Sequence, residues 1–208
     1  MTRRIMIAAA LAVSLAGGAA AQSIDSAYTR IDETCTERQL PDEPGVEIRC
    51  AGHDGWSFQI AAGEHGAAIA YAHAGGTMSD FIAPPMRGLF GGFNDVVEWR
   101  LRDGAAFATI HRYIHYNPPE MLEVSGGLEE PNTLIVTTLD PHGPETACAI
   151  AHVDASALRD ANLVAREAAD RLAPGWSPRS TRRAARIRWP RPCGSGCSNA
   201  CVPGADRI

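Results

Sequence analysis

The chain has 208 residues with 19 basic residues, all of them arginine, and 24 acidic ones. Residues 22–175 hold ten arginines against 23 acids, a balance of −13, whereas residues 176–208 hold seven arginines and one acid, a balance of +6. An acidic body is repelled by polyphosphate and by anionic lipid, so nucleic acid and anionic membrane surfaces are excluded as its partners.

Residues 1–21 read as a secretory signal. Arg3 and Arg4 form the charged start, Ile5 to Leu15 is an apolar run too short to span a bilayer, and Ala19, Ala20 and Ala21 supply the small residues of a cleavage site near Ala21. No other stretch is long and apolar enough for a membrane span, so the expected location is the periplasm. The mature part is long enough for one domain with a sizeable core, expected over 22–175, followed by a basic, disordered tail at 176–208. Export into an oxidising compartment lets the six cysteines pair, and six allow fifteen connectivities. The favoured pair is Cys35 with Cys50, fifteen residues apart.

In chain order, Gln22 to Glu37 is polar and is expected to be anchored only near Cys35. Pro41 to Gly45 is turn chemistry. Val46, Ile48 and Cys50 alternate with Glu47 and Arg49, the pattern of a half-buried strand. Gly52, His53, Asp54 and Gly55 make a turn, and Trp56, Phe58 and Ile60 alternate as the next strand. Ala68 to His73 is a third. Gly75 to Asn94 is rich in Gly and Pro without a period and is expected to be a long surface loop. Asp103-Gly104 between two strand-like runs predicts a type I′ hairpin. With Arg102 facing Ala105, an unbroken register puts Val97, Trp99, Leu101, Ala106, Ala108 and Ile110 on one apolar face. Thr109, His111, Tyr113 and His115 then lie on a polar face, turned to solvent or to a ligand. The same register sets Arg112 against Asp95 as an ion pair. Thr133 to Leu139 and Thr146 to Val153 form a second hairpin. A helix capped by Asp160, with Leu163, Val164, Ala168 and Leu172 as its apolar stripe, ends at Pro174-Gly175. The expected fold is α+β: an antiparallel sheet of about seven short strands with one C-terminal helix packed on it.

Cys35 and Cys50 followed by Gly52 and Gly55, Val97-Glu-Trp-Arg-Leu101, Phe107-Ala-Thr-Ile110, Cys148 with Ala151-His-Val-Asp154, and Asp160-Ala-Asn162 through Ala173-Pro-Gly175 together form a pattern. Over about 28–175 it resembles a group of small uncharacterised exported proteins of alphaproteobacteria. The resemblance implies export and the domain extent, and it implies no reaction. Members of the group tend to carry a further cysteine just after the helix, the natural partner of Cys148. Here Gly175-Trp176 is followed by Ser177-Pro178 and then by Arg, Pro, Ser, Gly and Ala without an apolar period. Residues 177–208 therefore read as a frameshift product or an unrelated tail, which would leave Cys148 without its intended partner.

No catalytic, cofactor or metal set is expected. His111 and His115 have helical zinc spacing, but on a strand four residues span about 13 Å, too wide for one ion. Cys193, Cys197 and Cys201 fit no common zinc or iron–sulfur spacing. Ser57, Ser79, Ser125 and Ser156 sit in no nucleophile elbow. The acids between Glu120 and Glu130 lack the spacing of an EF-hand loop. The arginine-rich run 179–191 has the composition of an anionic-surface patch, in a tail that does not fit the body. Trp56 and Trp99 read as core aromatics. His53, Asp54 and Trp56 read as part of a scaffold turn. Two functions remain. One is a non-catalytic periplasmic or envelope-associated domain binding an envelope protein or glycan. The other is a periplasmic hydrolase whose residues converge only in three dimensions, around the 75–94 loop and the polar hairpin face.

Overall fold

The computed structural model of the chain describes residues 22–41, 44–85, 90–123, 130–142 and 146–176. The signal segment, the tail from 177 with Cys193, Cys197 and Cys201, and Ser125 lie outside them, so the expectations placed there have no structural counterpart. None of the described helices is long and apolar enough to cross a membrane.

Nine strands of the described residues form two antiparallel sheets. The chain starts with β1 (Ile24–Arg30) and a short helix, α1 (Ile31–Thr34). It then makes a four-stranded meander of β2 (Cys35–Gln39), β3 (Gly45–Ala51), β4 (Trp56–Gly63) and β5 (Ala67–His73). A second meander follows: β6 (Phe90–Arg102), β7 (Ala105–Tyr116), β8 (Asn132–Leu139) and β9 (Ala147–Asp154). β1 joins it as an outer strand beside β6, giving a five-stranded sheet in the order β1-β6-β7-β8-β9. Helix α2 (Ala161–Leu172) closes the chain. The expected antiparallel α+β arrangement with a C-terminal helix is present. The single seven-stranded sheet is corrected to two sheets of five and four strands.

The physical reason for the correction lies in the two strands that sequence patterning passes over. β1 and β2 are both outer strands, and in them only Thr29 is buried. A strand buried along neither face carries little apolar alternation to read.

The layers follow from where the apolar side chains point. Phe58, Ile60, Ile69 and Tyr71 from the four-stranded sheet meet Val97, Trp99, Ala106, Ile135 and Ala149 from the five-stranded one. At the centre the rings of Phe58, Tyr71 and Trp99 lie 6.2 Å apart, with Tyr71 edge-on to Trp99. Their polar atoms are satisfied inside: Trp99 Nε1 donates to Thr29 Oγ1 at 2.9 Å, and Thr109 Oγ1 donates to Tyr71 Oη at 3.1 Å. Trp56 and Trp99 are thus core residues, 3% and 0% exposed. Gly52 lets the two sheets close, because a Cβ there would sit 2.5 Å from the Trp99 ring. On the other face of the five-stranded sheet Ala108, Ile110, Leu134, Val136 and Ile150 pack against α2.

The Asp103-Gly104 hairpin forms as expected, with φ of +50° and +87°, the left-handed pair that a type I′ turn requires. Beyond the turn the register departs from the unbroken one. Leu101 faces Ala106, but Arg100 faces Ala108, so Phe107 is an extra residue in a bulge. Because side chains alternate with period two, that one residue exchanges the faces of everything after it. Ala108 and Ile110 turn to the helix, and Thr109, His111, Tyr113 and His115 turn between the sheets. A second irregularity, between Phe93 and Val97, leaves Asp95 in a bulge, and Arg112 instead donates to Asn162 Oδ1 at 3.2 Å.

Helix α2 starts after Asp160, as expected, but the Asp160 side chain makes no capping bond. Of the expected stripe, Val164 and Ala168 pack against the sheet side, but its two leucines do not, and the fully buried line is another. Ala161, Ala165, Ala169 and Ala173 face the sheet, at a spacing of four residues, while Leu163 is 63% and Leu172 44% exposed. Alanine wins these positions because a short side chain lets the helix lie close on β7, β8 and β9, whose helix-facing side chains fill the space.

Cys35 and Cys50 face each other across β2 and β3 and form a disulfide, with Cα atoms 4.1 Å apart. Cys148, fully buried in β9, is disulfide-bonded as well. That corrects the expectation that it stands without a partner.

Candidate functional site

The polar hairpin face has the most chemistry to offer, and the bulge at Phe107 puts it out of reach. His111 is 1% and His115 2% exposed. Burial pushes the His111 imidazole down to about 4, so it is neutral near pH 7. Its Nε2 lies 2.7 Å from the Asn94 carbonyl and therefore carries the proton, and its ring stacks on Phe93 at 4.6 Å. His115 Nε2 lies 3.3 Å from Thr133 Oγ1. The Tyr113 hydroxyl accepts the Ala67 N–H at 3.1 Å, and burial pushes its pKa up. Both histidines lie on one strand, as expected, but their face is an inter-sheet packing layer rather than a solvent or ligand surface.

The serines are engaged in holding backbone. Ser79 Oγ accepts the Tyr71 N–H at 3.0 Å, Ser156 Oγ accepts the Asn132 N–H at 2.6 Å, and Ser57 Oγ points at the Ala72 carbonyl at 3.5 Å.

The turn after β3 stays closer to the surface. Asp54 and Gly55 take left-handed backbone, and the half-buried His73 ring packs on Trp56 at 5.0 Å with Nε2 3.2 Å from the Asp54 carbonyl. Asp54 Oδ2 accepts the Ala106 N–H at 3.4 Å, which ties this turn to the start of β7. His53, Asp54, Trp56 and His73 thus gather at one end of the sandwich as a scaffold.

From His73 the chain runs into the first part of the long loop. That part is not loose. Ser79 N–H donates to the Tyr71 carbonyl at 2.8 Å, and Ile69 and Ile82 exchange two backbone bonds at 2.7 and 3.0 Å. The segment therefore lies along the outer edge of β5. Met78, directly before the attachment at Ser79, is 36% exposed, and Phe81, directly before the attachment at Ile82, is 49% exposed. An ordered backbone presenting two large apolar side chains is the feature of this surface that burial within the chain does not explain.

Sequence reading also missed a charged cluster under α2. Arg100, 9% exposed at its side chain, donates from Nε and Nη2 to Asp170 at 2.9 and 2.7 Å. Arg166 Nε donates to Glu98 at 2.7 Å, and that bond to the carboxylate raises the arginine's pKa against the opposing effect of burial. Ser26 and Tyr28 from β1 complete the cluster through their hydroxyls. The forked arginine–carboxylate pairs are saturated, so their chemistry is spent on joining β1, β6 and α2. In sequence these residues are 68–70 positions apart, and only β6 and α2 meeting in space brings them together.

Compared with protein-family models, with curated proteins and with solved structures, the chain matches none.

Proposed function

We propose that the chain is a non-catalytic, exported domain of the bacterial envelope that binds an envelope protein or glycan through the segment following β5. The observation that carries this reading is the attachment of that segment at Ser79 and Ile82 while Met78 and Phe81 point outward. A surface ordered in advance loses less conformational entropy on binding than a free loop. An exposed aromatic ring and an exposed thioether on one short segment suit an apolar protein patch or the apolar face of a sugar ring. Export by the 1–21 signal agrees with the Cys35–Cys50 disulfide, which needs an oxidising compartment. The resemblance to small exported alphaproteobacterial proteins points the same way.

The rival is a hydrolase. A general base near pH 7 must reach its substrate, and His111 is enclosed between the sheets with its pKa held low. A hydrolytic site would therefore have to use a more accessible histidine, such as the half-buried His73 beside Trp56 and Asp54. The test compares the full protein with Met78→Ser and Phe81→Ser as baits for periplasmic extract and for solubilised cell-wall glycan. The expected result is a stoichiometric partner held by the unaltered protein and lost by both variants, whose melting temperatures stay unchanged. Turnover of an ester, amide or glycoside probe that disappears in His73→Ala would replace binding with hydrolysis as the reading.

A further inference from the structure

The two sheets have four outer strands, and three of them are closed. β5 is covered by Ser79 and Ile82. β9 is buried from Ala147 to Val153. β2 is five residues long, carries exposed Glu37 and Arg38, and is cross-linked to β3; short, charged edges of this kind resist pairing. The fourth, β1, is seven residues long and, among the described residues, pairs only with β6.

The phase of β1 is set at its start, where the Asp103 N–H donates to the Ser23 carbonyl at 3.0 Å. Backbone direction alternates along a strand, so Ser23, Asp25, Ala27 and Thr29 face β6, and the N–H and C=O of Ile24, Ser26 and Tyr28 face away. The Ser26 N–H is held by its neighbour Asp25 Oδ1 at 3.1 Å. Ile24 and Tyr28 share one face of the strand, two residues either side of Ser26, and are 43% and 56% exposed. The Tyr28 ring is fixed in place, because its hydroxyl accepts from Arg166 Nη2 at 3.0 Å.

We propose that β1 is a self-pairing edge, and that a second copy of this chain adds its own β1 antiparallel to it about a two-fold axis at Ser26. The pattern is its own complement. In this register Ile24 of each copy lies against the partner's Tyr28, Asp25 against Ala27, and Arg30 against Gln22, so no like charges are opposed. The Ser26 N–H exchanges the Asp25 carboxylate for the partner's carbonyl. The two five-stranded sheets become one continuous sheet. Because each body is strongly acidic, the copies repel at long range, and added salt strengthens the pair rather than weakening it.

Analytical ultracentrifugation of the mature full chain over a dilution series tests this. The expected result is a monomer–dimer equilibrium that shifts toward dimer on adding sodium chloride. It is lost in Ile24→Lys and in Tyr28→Pro, where the missing N–H faces away from β6 and the monomer keeps its ladder. Amide exchange at Ile24 and Tyr28 slows with concentration in the unaltered protein. A protein that stays monomeric throughout overturns the proposal. So does a dimer that survives both substitutions, or one in which the amides of β1 exchange at the same rate in both states. Circular dichroism and a cooperative melt for each variant separate loss of pairing from loss of fold.

Discussion

His111 shows at the level of one residue how burial converts chemistry into stability. Its folded pKa of about 4 lies below the roughly 6.5 of an unfolded histidine, and His152 is pushed by burial to about 4 as well. Between those two values the unfolded chain binds more protons than the folded one. Stability is therefore highest above pH 6.5, falls as pH drops through the window, and levels off below 4. The contribution is on the order of 3 kcal/mol for each such histidine, at about 1.36 kcal/mol per pKa unit. Urea midpoints taken from pH 7 to pH 4 are expected to decline, and His111→Gln to reduce the slope. An equally steep decline in that variant would remove His111 as a source. The sequence displayed His111 but not its burial, because one extra residue, Phe107, decides which way it faces.

At the level of the element, α2 separates helix existence from helix orientation. Its place was legible: Asp160 stands before its first turn and Pro174-Gly175 after its last. Its buried face was not, because alanine carries little hydrophobic signal and leucine a great deal. The sheet selects the alanine stripe for its closeness of approach, aided by Arg100 and Arg166 pairing with Asp170 and Glu98 across the contact. Ala165→Leu is expected to cost about 1–3 kcal/mol by overpacking a position that is 0% exposed. Leu163→Ser, on the outer face, is expected to stay within about 0.5 kcal/mol. Guanidinium unfolding of the two variants checks this, and the opposite ranking would mean that the leucine face is the one that packs.

For the whole molecule, the Cys35–Cys50 bond secures the place where the chain passes from β1 in one sheet to β2 in the other. β2 has one neighbour, and none of its residues is buried. Chain entropy assigns a loop of 15 residues about 3 kcal/mol. The double substitution Cys35→Ala with Cys50→Ala is expected to lower stability by about that amount under non-reducing conditions, read as a shifted denaturant midpoint. An unshifted midpoint would mean that β2 is held by its ladder to β3 alone.

Local chemistry sufficed for the features that depend on neighbours in the chain. The Asp103-Gly104 turn needs left-handed backbone that few other pairs supply. Trp56, Phe58 and Ile60 alternate because β4 is buried on one face. Cys35 and Cys50 are close enough along the chain to be matched by a short hairpin. The tertiary structure decided what depends on distant segments. It placed β1 beside β6, some seventy residues away, and split the strands into two sheets. Through one bulge it turned a polar strand face inward, and among the described residues it left the β5 segment exposed and the outer edge of β1 without a neighbouring strand. A side chain's burial is set by whatever lands on it, and in this protein the covering layer is almost always remote in sequence.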